Sequence, residues 1–187
     1  MKFCSKCGSS ELDFRVPDGD TLNRYVCAAC ATVHYQNPKV VVGCLPVWED
    51  RVLLCKRAIE PRYGLWTLPA GFLENGESVE QGAMRETLEE ANARVELGDL
   101  YTMISLVHVH QVYMMYRAQL VDLDFGPGAE SLEVKLFTED EIPWEQLAFR
   151  TITRTLRQFF LDRKHGAFGL HSSAIDRPTR RPPDLHP

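Results

Sequence analysis

The sequence predicts an α+β chain: a small N-terminal ribbon, then an α/β/α sandwich built on a mixed β-sheet. Three observations carry this reading. Two Cys-x-x-Cys pairs fall within the first 30 residues, β-type apolar runs begin at Lys39, and helical periodicity appears near residues 78–91 and again near 145–164. At 187 residues, 44% hydrophobic and 25% charged, the chain can bury one fair-sized core and carry a small satellite module. The expected boundaries are 1–36 for the ribbon, 37–165 for the main domain and 166–187 for a flexible tail rich in proline and arginine.

Bulk properties exclude several classes of function. No run of about 18 apolar residues exists, so no membrane-spanning segment is expected. The start, Met-Lys-Phe-Cys, has no apolar stretch of signal-peptide length, which predicts a cytoplasmic location. The net charge of −5 argues against nucleic acid as a general partner and fits a carboxylate-rich site that meets anionic substrates through cations.

In the ribbon, Cys4 and Cys7 are followed after nineteen residues by Cys27 and Cys30. That is the spacing of a four-thiolate zinc site, with each pair on a tight knuckle. A segment this short buries too little apolar surface to fold alone, so metal binding supplies the missing folding energy. Four thiolates leave no open coordination position, which makes the zinc structural. Pro17, Asp18 and Gly19 mark a turn between two short strands. His34 reads as a surface residue, with a place beside the zinc ligands or at an interface as the alternative. Residues 1–39 hold five basic and four acidic side chains, so the ribbon presents no basic stripe to nucleic acid.

Asn37-Pro38 reads as the boundary. Beyond it, VVVGCLPVW and RVLLCKR form the arms of a hairpin turned at Glu49-Asp50, and PRYGLWTLPAGF is loop and short strand. Strands are expected near YTMISLVHVH, QVYMMYRAQLVDL and LEVKLF, with FGPGAES as a loop. From Glu145 to about Lys164, Leu147, Ile152, Leu156, Phe159 and Phe160 repeat with the period of an amphipathic helix.

The helix at 78–91 carries the chemistry. Ser78 can cap it, with Gln81 three residues on as in a capping box. Met84, Leu88 and Ala91 fall on one face, and Glu86, Glu89 and Glu90 on the other. Like charges at this spacing repel unless a cation neutralises them. Clustered hard oxygen ligands suit Mg2+ or Mn2+, which keep sites open for water and phosphate oxygens. Gly82, one turn before Glu86, would let a metal-bound phosphate approach the helix.

The segment GFLENGESVEQGAMRETLEEANA resembles the Nudix box in Gly71, Glu77, Arg85, Glu86, Thr87, Glu89, Glu90 and Ala93, with Asn92 where the family usually has glycine. Asn tolerates the left-handed conformation of a helix C-terminus, so the departure is harmless. The resemblance implies that Glu86, Glu89 and Glu90, with the backbone carbonyl of Ala70, hold catalytic Mg2+ or Mn2+. It further implies that Arg85 orients the acids, that Glu77 braces loop and helix, and that the general base is one of these glutamates or one from a later loop, where Glu130 and Glu133 are the candidates. The expected reaction is attack of an activated water on a pyrophosphate bond.

A ribbon joined to this box resembles the NADH pyrophosphatase branch, whose Ser-Gln-Pro-Trp-Pro-Phe-Pro-like stretch is lacking here. YQNPKVVVGCLPVWEDRVLLCKR, GLWTLPAGFLENGES and PGAESLEVKLFTEDEIPWEQLAF are nearer to the zinc-ribbon Nudix group that includes the plant chloroplast FAD pyrophosphatase. That resemblance spans roughly residues 3–160 and implies a small-molecule nucleotide substrate, FAD or ADP-ribose, releasing AMP, and a homodimer. Tyr63, Trp66, His108, His110 and Tyr113 are candidate substrate contacts, as is Phe149. Arg150, Arg154 and Arg157 read as a solvated helix face. The alternatives are an NADH pyrophosphatase, an RNA-decapping enzyme, an enzyme clearing damaged nucleoside triphosphates, and an inactive nucleotide sensor.

Overall fold

The computed structural model describes residues 1–176, in two units that divide between Pro38 and Lys39. Residues 177–187, half of the stretch expected to be a Pro/Arg-rich tail, lie outside the described residues.

The first unit is a three-stranded antiparallel sheet of β1 (Leu12–Arg15), β2 (Arg24–Cys27) and β3 (Val33–His34) in sequential order. The turn after β1 closes where Asp20 N–H donates to the Pro17 carbonyl, and the Asp20 carboxylate then accepts from Thr21 N–H and pairs with Arg24 Nε at 2.9 Å. Its buried residues are Cys4, Pro17, Val26, Cys27 and His34. That is too little apolar surface to offset the entropy of ordering 38 residues.

The second unit is a sandwich. Its strands are β4 (Lys39–Trp48), β5 (Arg51–Arg57), β6 (Trp66–Thr67), β7 (Ala70–Phe72), β8 (Val95–Leu106), β9 (Gln111–Leu120), β10 (Ser131–Phe137) and β11 (His171–Ala174), with helices α1 (Val79–Ala91) and α2 (Arg150–His165). The sheet runs β10-β5-β4-β9-β8-β11, with β6 added to β5 and β7 to β4. It is mixed, because β4 pairs β9 in parallel and β8 pairs β11 in parallel while the other pairs are antiparallel.

Period-two alternation sorts the strand residues between two layers. Val42 and Cys44 of β4 and Tyr116 and Ala118 of β9 meet Ala83 of α1. Leu45 of β4 and Met115 of β9 turn the other way, onto Ile152, Leu156, Phe159 and Phe160 of α2. Trp66 belongs to this second layer, edge-on to Phe137 with ring centroids 4.9 Å apart.

The hairpin turn at Glu49-Asp50 forms as its sequence suggests, but β4 stays with β5 only at Val47 and Trp48. Upstream, Val41–Gly43 pair with β7 instead, which brings the loop before α1 to the middle of the sheet. The C-terminal helix begins later than its periodicity predicts. Trp144–Gln146 make one 3-10 turn, and Leu147 is extended and bridged to Trp66, whose carbonyl accepts from Ala148 N–H.

His171–Ala174, which the sequence assigns to a flexible tail from 166 onward, is a strand at the sheet edge. Its sequence, HSSA, has no apolar pattern to announce it. Asp162 of α2 holds it there: its carboxylate accepts from Tyr101 Oη at 2.8 Å and Gln158 Nε2 at 2.7 Å, and lies 2.6 Å from His171 Nε2. Burial would raise the Asp162 carboxyl, but these three bonds outweigh it and hold it below its ordinary value. The charged form therefore stabilises the fold above the ordinary carboxylate range, and the contribution is lost as pH falls through the depressed value. Asp162→Ala strands the buried Tyr101 hydroxyl and should destabilise by about 2 kcal/mol in urea denaturation at neutral pH.

Candidate active site

Ser78 is the N-cap of α1, with both halves of the capping box in place, so the helix start is set by its own sequence. Helix α1 does not bury its apolar face as a whole. Met84 and Leu88 are exposed, while Gly82, Ala83, Thr87, Glu90 and Ala91 are buried. The Thr87 hydroxyl is satisfied by the Ala83 carbonyl at 2.8 Å. Gly82 does not open the helix to a phosphate, since Val42, Leu73 and Glu77 fill the space a side chain would take. Its role is close packing on β4.

A cavity of about 770 Å3 lies over this helix, and Glu86, Glu89 and Glu90 line it together with Arg85, Ala70, Gly71, Glu130 and Tyr113. Arg85 is the hub. It donates to Glu77 at 2.9 and 2.7 Å, to Glu86 at 2.7 Å, to Glu89 at 3.1 Å and to the Phe72 carbonyl at 3.2 Å. Glu77 lies outside the cavity and also accepts from Glu74 N–H at 2.7 Å, which ties the loop to the helix. The Arg85 guanidinium holds the Glu77 carboxyl down to about 2.

Glu90 is only 6% exposed, and Ala70 N–H donates to it at 3.2 Å. Burial above all, with the charges of Glu86 and Glu130, pushes its carboxyl up to about 8 against the pull of Ala70 N–H and Arg57. Glu86 is raised in the same way, by burial first and then by Glu89 and Glu130, despite Arg85. These acids repel one another in a partly dry pocket with too little positive charge, and all their donors are hard oxygens. A divalent cation such as Mg2+ fits that need. At Gly71 a Cβ would overlap the Glu86 carboxylate, so a side chain there would push that carboxylate from its place. Gly71→Ala should displace Glu86 and lower metal affinity by about 10- to 100-fold in a titration with Mn2+.

Of the two candidate bases, Glu130 lines the cavity and Glu133 does not. Glu133 lies on β10 near Lys56, 3.8 Å away. The candidate substrate contacts divide as well. Tyr113, 8% exposed, lines the cavity, but Trp66 is a core residue, and Tyr63, His108 and His110 are exposed and not among the residues that line it. The His110 backbone is left-handed, and its carbonyl accepts from Lys39 N–H. Phe149 does reach the cavity, from the start of α2.

Arg57 is the cavity residue the sequence reading passed over. It is 9% exposed, its Nε donates to the Pro61 carbonyl at 3.0 Å, and its guanidinium lies over the Phe149 ring at 5.2 Å. Its position at the end of the apolar run RVLLCKR was the available signal. The solvated face expected of Arg150, Arg154 and Arg157 is exposed, with Arg154 tied to Ser173 Oγ at 3.0 Å and Arg157 over the Trp144 ring.

In the first unit, the sulfurs of Cys4, Cys7, Cys27 and Cys30 lie within 4.8 Å of one another, with Cys4 3.7 Å from Cys30 and Cys7 3.6 Å from Cys27. All are free thiols. Sulfurs bound tetrahedrally to zinc at about 2.3 Å sit about 3.8 Å apart, so the set fits that ion. His34 is buried rather than on the surface, with Nε2 3.3 Å from Cys4 Sγ, and Thr32 Oγ1 is 3.1 Å from Cys30 Sγ. With Cys4 as a metal thiolate, the imidazole nitrogen facing it must carry the proton.

The family model of the NUDIX domain matches residues 37–159, and that of the Nudix N-terminal region matches residues 2–36. A crystal structure of a NUDIX hydrolase from Nitrosomonas europaea is 60% identical, with a TM-score of 0.91 over 95% of this chain and 100% of that one. The NAD-capped RNA hydrolase NudC of Pseudomonas aeruginosa is 30% identical over 171 residues, 89% of this chain and 58% of that protein. The ADP-ribose pyrophosphatase of Methanocaldococcus jannaschii is 28% identical over 119 residues, 62% of this chain and 69% of that one. The chain thus spans little more than half the length of the NudC proteins it matches. Among the described residues no helix is long and apolar enough to cross a membrane.

Proposed function

The chain belongs to the Nudix family, and from that premise we propose that it hydrolyses the pyrophosphate bond of a nucleoside diphosphate derivative, FAD or ADP-ribose, releasing AMP. The observation that carries this reading is the set Glu86, Glu89 and Glu90, with Glu90 buried, Glu86 half-buried and Glu89 exposed, lining one cavity together with Arg57, Tyr113 and Phe149. Those carboxylates, with the Ala70 carbonyl, are the groups that would hold Mg2+ or Mn2+. When bound, such cations neutralise phosphate oxygens and make a bound water more acidic. Arg57, fixed by Pro61 and Phe149, offers its remaining N–H groups to a phosphate oxygen as negative charge builds there. The Glu130 carboxylate accepts the proton of the water that attacks phosphorus. The bridging P–O bond then breaks, and the two phosphates leave. Tyr113 and Phe149 give a base or flavin ring two aromatic surfaces.

The ribbon is proposed to hold one structural Zn2+ through its four cysteines. A homodimer is part of the same reading, and sedimentation of the purified chain tests it.

The test is a product assay with Mg2+ or Mn2+ and a panel of FAD, ADP-ribose, NADH, an NAD-capped RNA and the nucleoside triphosphates. The capped RNA and NADH belong there because of the NudC relatives. AMP from FAD or ADP-ribose supports the proposal. Preferential cleavage of NADH or capped RNA moves the assignment to the NudC reading, and tight binding without cleavage replaces the enzyme with a nucleotide sensor.

A further inference from the structure

Asn92 stands where the family pattern has glycine, and the structure shows what the exchange adds. The residue caps α1 in the left-handed region, φ 47° and ψ 24°, a conformation glycine supplies equally well. Its side chain does something glycine cannot. Nδ2 donates to the carbonyls of Gly126 at 3.3 Å and Pro127 at 3.1 Å, 34 and 35 residues further along the chain.

Those carbonyls belong to the loop that ends in Glu130, and the rest of the loop is tied to the same helix end. Gly126 N–H donates to the Ala91 carbonyl at 2.9 Å and Gly128 N–H to the Glu90 carbonyl at 3.0 Å. At Gly128 a Cβ would overlap the Glu89 carbonyl, so loop backbone and helix are in direct contact. Past the loop, the Glu130 carbonyl accepts from Ala58 N–H at 2.8 Å, next to Arg57.

We propose that Asn92 is a positioning residue: its amide fixes the Gly126–Glu130 loop to the C-terminus of α1, and so places the Glu130 carboxylate over Glu86 and Glu90. This rests on the hydrolase reading above, in which Glu130 takes the proton of the attacking water. Asn92 itself touches no reacting atom. It acts by removing freedom from a loop whose glutamate would otherwise have to be ordered in each turnover.

Asn92→Gly keeps the cap and removes only the amide. Asn92→Asp keeps a residue tolerant of the left-handed region but replaces the donor with an acceptor facing two carbonyls. Both should lower kcat on the best substrate of the panel by about tenfold with KM nearly unchanged. In a Glu130→Gln background, neither should lower it further, because the group being positioned is gone. Hydrogen exchange at the amides of Gly128 and Ala58 should speed up in Asn92→Gly. An equal fall in kcat in both backgrounds, or exchange unchanged at those amides, would overturn the inference while leaving the hydrolase intact. A wild-type protein that cuts nothing in the panel would remove the hydrolase reading itself, and this inference with it.

Discussion

Glu90→Gln should reduce pyrophosphate hydrolysis by about a thousandfold or more, some 4 kcal/mol of transition-state stabilisation, with the fold unchanged. The effect is electrostatic. Glu90 is almost fully buried, and without a cation its carboxyl is pushed up to about 8 by burial and by Glu86 and Glu130. An acid whose folded-state value is raised contributes its stability below the ordinary carboxylate value, near 4.5, and loses it as pH climbs toward 8. The metal-free protein should therefore lose thermal stability across that window. Mg2+ should restore it by neutralising the ionised carboxylate. In Glu90→Gln the amide is neutral at every pH, so the slope should flatten and the response to Mg2+ shrink together with activity. Melting curves from pH 5 to 8, with EDTA and with Mg2+, read this directly. A variant that stays active, or a wild-type protein whose melting ignores Mg2+ across the whole range, would show that these carboxylates do not hold the reacting metal.

The second large effect is expected in the first unit. Cys27→Ser, or stripping the metal with a chelator, should unfold residues 1–38. Structural zinc sites contribute about 10–16 kcal/mol of binding free energy that is also folding free energy. The unit has little else: of its five buried residues two are cysteines of the cluster, and a third, His34, faces Cys4. Elemental analysis should give one zinc per chain in the wild type and none in the variant. NMR should show the signals of the first unit collapsing into the unfolded range while those of the second remain dispersed, because the core clusters of the second unit draw only on residues from Val40 onward. Two disulfides and no metal in the purified protein would overturn the zinc assignment.

Much of this molecule was legible in the residues because the governing interactions are local. A capping box is complete within four residues, and the structure has both halves at Ser78 and Gln81. Asn92 adopts the left-handed cap that its side chain tolerates. Turn chemistry at Pro17–Gly19 and Glu49-Asp50, and the apolar runs of β4 and β5, led to strands where they were expected. The family pattern placed three glutamates on one helix, and they do line one cavity.

On α1 apolar side chains do not mark the interior: Met84 and Leu88, on the face opposite the glutamates, are exposed, whereas the buried stripe carries Thr87 and Glu90. A face built around charge inverts the usual rule that apolar side chains mark the interior. Aromatic character was equally ambiguous: Trp66 fills the core against Phe137, and of the candidate contacts read from the sequence Tyr113 and Phe149 line the cavity.

By itself, then, the sequence determined the four-thiolate ribbon, the order of strands and helices, the caps of α1 and the acids of the box. Each of these is written in spacings of a few residues or in backbone preferences of single side chains. Only the tertiary structure decided that Glu130 and not Glu133 faces those acids, and that Arg57 stands among them. It also decided that Gly82 packs instead of opening, that HSSA becomes an edge strand held by Asp162, and that Asn92 reaches a loop 34 residues away. Those outcomes depend on which distant backbones approach within hydrogen-bonding distance, and chain spacing carries no information about that.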